Sequence, residues 1–312
     1  MTTTTRVTGD PGEAAACLLE GGIVAIPTET VYGLAAIATD EGAVRRVYEA
    51  KGRPADHPLI IHVSGTEMAR RYGDVAGPAA LLADRFWPGP MTLVVERTPL
   101  VPDSVTGGRD TVAVRVPDHP LALRVIEICG QGLVAPSANL FGHVSPTDAA
   151  HVLSDLGGRV DMVLDGGACR VGVESTIIEC TDGVQVLRPG LVSVEDIESC
   201  TGLRVTPATG PSRAPGMLAS HYAPSAGVVL AHSESEAREE CDRLAAAGRS
   251  VRVMGTGLSP VEYASGLYRM MREADDSGAE IIVAVLPQGG GIAAAVCDRL
   301  RKAAADSSDS AR

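Results

Sequence analysis

The chain has 312 residues, of which 45% are hydrophobic and 21% charged, as expected for a soluble protein with one large or two ordinary domains. Its formal net charge of −12 argues against broad nonspecific binding to nucleic acid or to anionic membranes. The seven cysteines form no CxxC pair, and no apolar run reaches the roughly 18 residues of a membrane helix. We therefore expect a reduced, cytoplasmic protein without a disulfide framework.

The first two hundred residues alternate short apolar runs with helical patterns, which is typical of an α/β fold. Strands are predicted at 22–27, 58–63, 91–97, 111–116, 132–139 (which runs into a polar turn), 161–167, 175–180 and 183–190. Helices are predicted at 40–52, 66–72, 77–86 and 119–130. Some spacings allow crossovers and others only hairpins, so we expect a mixed sheet.

The pattern changes after residue 205. Residues 206–226 are rich in proline and glycine and have little periodicity, which is typical of a linker. Three strand–helix units follow, with strands at 227–231, 250–255 and 280–287 and helices at 233–247, 260–274 and 291–304. The sequence thus predicts a domain over 1–205, a linker over 206–226, and a small Rossmann-like βαβαβα domain over 227–312.

Several common motifs are absent or incomplete in the sequence. The stretch 289–294, GGGIAA, fits G-x-G-x-x-A, but the chain ends before the acidic residue that a dinucleotide site needs. The sequence contains no phosphate-binding GxxxxGK[ST] loop, no GxSxG and no HExxH. His57 and His62 lack the helical i, i+4 spacing of a zinc pair, so we predict no protein metal site.

Polar turns at strand ends indicate a ligand crevice. They carry small hydroxyl residues, namely Thr28, Thr30, Ser137, Ser175 and Thr176. Isolated cations accompany them, namely Lys51, Arg53, Arg115 and Arg188. Arg115 lies in an apolar strand and needs an anionic partner, either a structural carboxylate or a substrate carboxylate or phosphate. The residues alone predict an α/β protein with a pocket for a small anionic ligand, a nucleotide or an amino acid.

The motifs together resemble the YrdC-like family, and more narrowly its two-domain L-threonylcarbamoyladenylate synthases. The matching strings include GGIVAIPTETVYGLA, KGRPADHPLIIHV, TVAVRVPDHPLA, APSANLFGHVSPT, GVESTII, VLRPG and PGMLASHYAP, in family order. The resemblance implies a twisted, mixed, open sheet with helices. It also implies an enzyme that joins L-threonine, bicarbonate or CO2 and ATP into L-threonylcarbamoyl-AMP and pyrophosphate, the first step of threonylcarbamoyladenosine formation in tRNA.

The resemblance also implies roles for individual residues. Around threonine it places Thr30, His62, Arg115, Ala135 and Ser175. Around ATP it places Arg53, His57, Thr111, Ser137, Ser145, Arg188 and Tyr222, with Lys51 and Asn139 in the same motifs. Lys51 and Arg53 would act on the phosphates, and Tyr222 would let the linker close over the active site. His57 stands where many relatives have Asn.

Further expectations concern the metal and the partners. Mg2+ is expected with ATP, held mostly by phosphates and water, so no protein ligand is predicted. A separate tRNA threonylcarbamoyl transferase would use the product, and we expect neither strong direct tRNA binding nor membrane binding. Two alternatives stay open at this point. One is a paralogue that uses another amino acid, such as serine, and the other is an RNA-binding YrdC-like module, which the acidic net charge opposes.

Overall fold

The strands of the protein form two separate sheets in the computed structural model, which describes residues 4–208, 214–216 and 222–309. The larger sheet contains β1 (Arg6–Thr8), β2 (Val24–Ile26), β3 (Gly33–Ile37), β4 (Ile60–His62), β5 (Met91–Glu96), β6 (Thr111–Arg115), β7 (Leu133–Val134), β8 (Met162–Leu164), β9 (Thr176–Glu179), β10 (Gln185–Arg188) and β11 (Thr206–Pro207). Their order across the sheet is β1-β8-β2-β3-β7-β4-β6-β5-β9-β10-β11.

The large sheet is mixed, as the sequence predicts. β4 pairs with β6 in parallel, whereas β3 and β4 both pair with β7 in antiparallel orientation. The β4–β6 register places His62 opposite Arg115, so these two side chains lie on the same face of the sheet. Two polar groups that are far apart in sequence are thereby brought side by side.

Helices connect these strands. They are α1 (Pro11–Leu19), α2 (Glu41–Lys51), α3 (Thr66–Ala69), α4 (Pro78–Phe86), α5 (Asp103–Thr106), α6 (Pro120–Cys129), α7 (Ala149–Leu156) and α8 (Val194–Thr201). The helix predicted at 40–52 is confirmed as α2. The Asp40 side chain accepts a hydrogen bond from the Ala43 amide, and Gly52 ends the helix at φ 66°, in the left-handed region.

The two faces of the central strands differ in what covers them. One face buries Ile61, Leu93 and Val114 in the main hydrophobic core, together with apolar residues of α2 and α4. On the other face, α1 and α6 pack over the end of the sheet that contains β2, β3 and β8. Because side chains alternate along a strand, His62 and Arg115 face away from the main core.

A smaller three-stranded sheet forms the C-terminal unit. Its elements are β12 (Gly227–Ala231), α9 (Glu234–Ala246), β13 (Val251–Met254), α10 (Pro260–Asp276), β14 (Ile281–Val285) and α11 (Ile292–Asp309). The strands are parallel in the order β12-β14-β13, which confirms the predicted Rossmann-like arrangement. Within the described ranges, no helix is long and apolar enough to cross a membrane.

The C-terminal unit packs directly on the larger one. Val31, Val144 and Val173 share a buried cluster with apolar residues of α10 and α11. Gly172 has φ 80°, and a Cβ atom there would lie 2.5 Å from the Ala264 carbonyl oxygen of α10. A glycine is therefore required where this loop meets the helix, both for its backbone conformation and for the close approach.

The region predicted as a linker begins with a short strand. β11 (Thr206–Pro207) pairs in parallel with β10 at the edge of the large sheet. Residues 209–213 and 217–221 of the predicted linker lie outside the described residues. The described part includes Ala214, which is buried against Ile60 and Leu187 on the face of the sheet that carries His62 and Arg115.

Candidate active site

A cleft opens on the face of the large sheet that carries His62 and Arg115. Its lining combines hydroxyls, cations and small residues from turns that are distant in sequence. They are Thr28, Thr30, Val31, Gly33, Arg53, Ile60, His62, Arg115, Ala135, Pro136, Ser137, Glu174, Ser175, Arg188, Pro215, Gly216 and Tyr222. The structure thus brings together nine of the fourteen residues predicted for the site.

Arg115 stands at the end of β6 and is held from three sides. Its Nη1 donates a 2.9 Å hydrogen bond to Thr30 Oγ1, and its Nε donates to the Gly89 carbonyl oxygen. Its Nη2 lies 2.7 Å from Glu29 Oε1, with the N–H direction poorly aligned, so this contact is an ion pair rather than a hydrogen bond. Arg115 therefore has the structural carboxylate that its buried charge requires, with Thr30 beside it.

His62 and Ser175 complete this side of the cleft. Burial, and then the Arg115 charge, lower the pKa of His62 from 6.5 to about 3, so the imidazole is neutral at physiological pH. Its Nδ1 has no hydrogen-bond partner among the described residues. The Ser175 hydroxyl shares a 2.7 Å hydrogen bond with Thr92 Oγ1. Ala135 lines the cleft and packs closely beside Gly33.

Arg188 and Arg53 add further positive charge to the cleft. Arg188 donates from Nε to the Ser175 carbonyl oxygen, from Nη2 to Ser175 Oγ, and from Nη1 to the Pro215 carbonyl oxygen at 3.3 Å. Arg53 donates from Nη2 to the Pro58 carbonyl oxygen, and its Nε has no partner among the described residues. Burial lowers the pKa of Arg53 to about 10, which leaves it charged at neutral pH.

Lys51 is placed behind the cleft, at the last position of α2. It is only 2% exposed, and its Nζ donates to the carbonyl oxygens of Ser137 and Asn139, at 2.5 and 2.6 Å. Burial, and then the neighbouring Arg53, lower its pKa well below the usual value. Lys51 thus ties the end of α2 to the turn that carries Ser137.

The remaining predicted ATP residues are placed differently from one another. Ser137 and Tyr222 line the cleft. Asn139 is fully buried and donates from Nδ2 to the carbonyl oxygens of Leu140 and His143. Ser145 is also fully buried and donates to Glu174 Oε1 at 2.7 Å. Asn139 and Ser145 therefore support the turns around the cleft from behind.

His57 and Thr111 lie outside the lining of the cleft. The His57 ring packs against Phe141, with centroids 5.4 Å apart, and Arg53 also lies against Phe141. Thr111 stands at the opposite end of β6 from Arg115, in a separate surface groove with Arg97 and Asp103. The structure thus places His57 near the cations and Thr111 in a different depression.

A short segment of the predicted linker covers the cleft. Pro215 accepts the Arg188 hydrogen bond described above, and Lys302 of α11 donates to the Gly216 carbonyl oxygen at 2.7 Å. Gly216 has φ 79°, and a Cβ atom there would lie 2.5 Å from the Tyr222 hydroxyl. The segment 214–216 is therefore held against the cleft by residues of both units.

Several residues of the site were missed by the sequence reasoning. Glu29 and Glu174 are buried carboxylates at the cleft, and each is paired with an arginine. Arg299 of α11, the partner of Glu174, is fully buried. One signal was available, because Arg299 falls on the apolar face of α11 beside Val296 and Leu300, where a charge requires a partner.

Comparisons with known proteins agree with this fold. Residues 16–190 match the Sua5/YciO/YrdC family model, described as telomere recombination, and residues 192–305 match the C-terminal domain of threonylcarbamoyl-AMP synthase. The chain is 43% identical over 314 residues to the threonylcarbamoyl-AMP synthase of Pyrococcus abyssi, covering 93% of this chain and 92% of that protein. It is 40% identical to that of Bacillus subtilis over 331 residues, covering 95% and 94%.

A solved structure of P. abyssi Sua5 complexed with L-threonine has a TM-score of 0.90, with 39% identity and 98% of each chain covered. The fold is therefore that of a YrdC-like α/β protein with an added C-terminal domain. The chain belongs to the Sua5/YciO/YrdC family, in its two-domain threonylcarbamoyl-AMP synthase branch. It is accordingly an enzyme of the nucleotidyltransferase type.

Proposed function

We propose that the protein joins L-threonine, bicarbonate or CO2 and ATP to give L-threonylcarbamoyl-AMP and pyrophosphate. The observation that carries this proposal is similarity over more than nine-tenths of the chain to proteins named threonylcarbamoyl-AMP synthase. The cleft supports it, because it combines hydroxyls around a buried arginine with further cations. An amino acid and a triphosphate require such a combination.

The chemistry needs no nucleophile from the protein. The threonine amine adds to CO2 and loses a proton, giving a carbamate. A carbamate oxygen then bonds to the α-phosphorus of ATP, the bond from that phosphorus to the oxygen bridging the β-phosphate breaks, and pyrophosphate leaves. Catalysis therefore depends on placing the two substrates and on stabilising the charge that develops on the phosphates.

We assign the Arg115 side of the cleft to threonine. Arg115 would bind its carboxylate while Glu29 holds the guanidinium in place. Thr30, Ser175 and the neutral His62 would provide hydrogen bonds. Ala135 would limit the space beside the side chain. One methyl group changes discrimination by only about 1–3 kcal/mol, so preference over serine has to come from close packing here.

We assign Arg53 and Arg188 to the phosphates of ATP. The Arg188 Nη1 hydrogen bond to Pro215 is the longest of its three, so a phosphate oxygen can replace that carbonyl. Ser137 and Tyr222 would contact the nucleotide directly, with Lys51, Asn139 and Ser145 holding the turns behind them. We place His57 beside the nucleotide, because His57 and Arg53 both pack against the ring of Phe141.

Thr111 would reach the nucleotide only if ATP extended across β6 toward the separate groove.

The segment 214–216 would act as a lid. It bonds to Arg188 and to Lys302, so it can respond both to phosphate binding and to the C-terminal domain. Exclusion of water by this lid would protect the mixed anhydride of the product from hydrolysis. We accordingly propose the predicted division into a catalytic domain (1–205), a closing linker (206–226) and a C-terminal domain (227–312).

Mg2+ would accompany ATP rather than occupy a site made by the protein. Among the described residues, no group of three or more His, Cys, Asp or Glu side chains is arranged to hold a metal ion. The buried carboxylates Glu29 and Glu174 are already paired with Arg115 and Arg299. Phosphate oxygens and water are the ligands that Mg2+ usually keeps in such sites, and the ion would reduce the negative charge on the phosphates.

The product would be passed to a tRNA threonylcarbamoyl transferase, because an acyl adenylate needs an acceptor. We propose no strong direct binding of tRNA, since the chain has a net charge of −12. A supply to tRNA modification would place the enzyme in the cytoplasm. The seven cysteines, all of them free, are consistent with a reducing compartment.

The proposal is tested by incubating the protein with ATP, bicarbonate and labelled L-threonine and following threonylcarbamoyl-AMP and pyrophosphate. An Arg53→Ala variant and a panel of other amino acids run alongside. Threonine-dependent product that is lost in the variant supports the reaction and the phosphate assignment. Turnover with another amino acid but not with threonine would overturn the substrate. ATP binding without any turnover would overturn the reaction and favour a binding protein.

A further inference from the structure

A buried carboxylate connects the C-terminal domain to the cleft. Glu174 lines the cleft and is 6% exposed. Its Oε2 accepts a 2.9 Å hydrogen bond from Arg299 Nε, and the Tyr268 hydroxyl donates at 2.9–3.0 Å. Its Oε1 also accepts from Ser145 at 2.7 Å. Two of these three partners come from helices α10 and α11 of the C-terminal domain.

Several contacts hold Arg299 in place beside Glu174. It is fully buried, and its Nη1 donates to the Pro189 carbonyl oxygen and to Asp298. Its guanidinium carbon lies 5.4 Å from the centroid of the Tyr222 ring. A buried ion pair loses much of its attraction to desolvation and is a poor source of net stability. We therefore look for a role of the Glu174–Arg299 ion pair in the cleft rather than in stability.

Arg188, which we assign to the phosphates of ATP, is a neighbour of the Glu174–Arg299 ion pair. Its three donor groups form hydrogen bonds with Ser175 and Pro215. Glu174 instead accepts hydrogen bonds from Arg299, Tyr268 and Ser145. Glu174 and Arg188 lie near each other, because both line the cleft and Arg188 bonds to Ser175, the residue after Glu174 in the chain. Burial raises the pKa of Glu174, but the charges of Arg299 and then Arg188 lower it below its usual value. If Arg299 were removed, Glu174 would be a buried carboxylate with Arg188 as its available cation.

We propose that Arg299 is a positioning residue for the nucleotide, and that by pairing with Glu174 it keeps Arg188 free to bind an anionic phosphate. On this proposal the C-terminal domain belongs to the ATP site, because it supplies the charge that neutralises Glu174. The inference rests on the proposed function for the identity of the anion. It predicts that removal of Arg299 weakens ATP binding while threonine binding at Arg115 is largely preserved.

The test compares ATP affinity in the full chain, measured by calorimetry, for Arg299→Met, Glu174→Gln and the double variant. Arg299→Met is expected to weaken ATP binding by about tenfold, since an uncompensated carboxylate competes for Arg188. Glu174→Gln is expected to bind ATP no more weakly than the unmodified protein. The double variant is expected to recover affinity to within about threefold, because no carboxylate then remains to draw on Arg188.

Arg272→Met is the matched control. Arg272 of α10 forms a half-buried ion pair between the domains, with Asp155, in a depression separate from the cleft. A loss of ATP affinity in Arg272→Met equal to that in Arg299→Met would overturn the inference, because domain docking alone would then explain it. A double variant that binds ATP as weakly as Arg299→Met would also overturn it. If Arg299→Met does not fold, a double variant that binds ATP about tenfold more weakly than the unmodified protein would still overturn the inference.

The KM values separate the inference from the proposed function. In Arg299→Met the KM for ATP should rise by about tenfold and the KM for threonine by no more than about twofold. An equal rise in both would contradict the assignment of Arg299 to the nucleotide side. If the unmodified protein forms no threonylcarbamoyl-AMP, the proposed function fails, and the ATP affinities of the variants still test the positioning role.

Discussion

Glu29 and Arg115 form a buried ion pair, with Glu29 Oε1 and Arg115 Nη2 2.7 Å apart and the two side chains 1% and 4% exposed. Thr30, next to Glu29 in the chain, accepts a hydrogen bond from the same guanidinium. The turn after β2 and the end of β6 are thereby fixed to each other. A threonine carboxylate bound here would meet a guanidinium that is already oriented, which reduces the ordering that binding requires.

The first prediction separates the structural role of Arg115 from its binding role. Arg115→Met leaves Glu29 as an uncompensated buried charge and should lower the free energy of unfolding by about 3–5 kcal/mol. Glu29→Met/Arg115→Met removes both charges and should recover most of that loss, yet threonine-dependent product should stay absent. Urea denaturation and the product assay measure the two effects. A double variant as unstable as Arg115→Met would show that the ion pair is not the cause.

Much of this site was predictable, because single strands and turns reveal their chemistry locally. Arg115 stood out as a charge inside an apolar strand, and the hydroxyl-rich turns at strand ends indicated a crevice. The pairing of Glu174 with Arg299 was not predictable in this way, since 125 positions separate the two residues. Which carboxylate a buried arginine meets depends on how two domains dock, and no local pattern encodes that.

The fold shows the same division between local and long-range information. The mixed sheet and the three C-terminal strand–helix units follow from periodicity and spacing. Helix α1 was missed although Asp10 caps it and Pro11 begins it, both of which are recognised helix starts. Strand β3 was missed because its sequence, GLAAI, consists mostly of small residues and has only one β-branched residue, the type that is typical of strands.

The second prediction concerns pH and His62. The pKa of His62 is lowered from 6.5 to about 3 in the folded protein. Between these two pH values His62 is therefore protonated in the unfolded chain and neutral in the folded chain. This contribution to stability is complete above pH 6.5 and is lost as the pH falls toward 3, with a slope of about 1.4 kcal/mol per pH unit at most. Urea denaturation from pH 7 to 4 should therefore show a shallower decline for His62→Gln.

His57→Gln is the control for this measurement. Burial lowers the pKa of His57 too, but His57 is partly exposed and its contribution should be smaller. A decline in His62→Gln as steep as in the unmodified protein would mean that His62 takes up its proton in the folded state. The buried, neutral imidazole described here would then be wrong.

The third prediction addresses Lys51, which bonds to carbonyl oxygens behind the cleft. Lys51→Met removes the donor that fixes the turn at Ser137. We expect the loosened turn to weaken nucleotide binding by about 1.4 kcal/mol, the size of one hydrogen bond, which is about tenfold. Because the effect passes through the turn, AMP and ATP should lose affinity by the same factor. Calorimetric titration with both nucleotides measures it.

Arg188→Met provides the contrast for Lys51→Met. Arg188 lines the cleft and is assigned to the phosphates, so its removal should weaken ATP binding far more than AMP binding. If Lys51→Met also weakened ATP binding far more than AMP binding, Lys51 would have to contact the outer phosphates. The geometry at the end of α2 would then have to change when the nucleotide binds.

The fourth prediction tests the lid with two glycines of equal backbone conformation. Gly216 and Gly248 both have φ 79°, but a Cβ at Gly216 would lie 2.5 Å from the Tyr222 hydroxyl, whereas at Gly248 nothing lies within 4 Å. Replacement by alanine should cost about 1 kcal/mol of backbone strain at either position. Only Gly216→Ala should also displace the segment 214–216 from Arg188 and Tyr222.

Displacement of the lid should expose the mixed anhydride to water. We therefore expect Gly216→Ala to release more AMP relative to threonylcarbamoyl-AMP than the unmodified protein does, with Gly248→Ala unchanged in that ratio. Chromatography of the products after a single turnover gives the ratio, and thermal unfolding reports the shared strain. Equal product ratios in the two alanine variants would mean that the segment shields nothing, and that its contacts with Arg188 and Lys302 serve only to attach the linker.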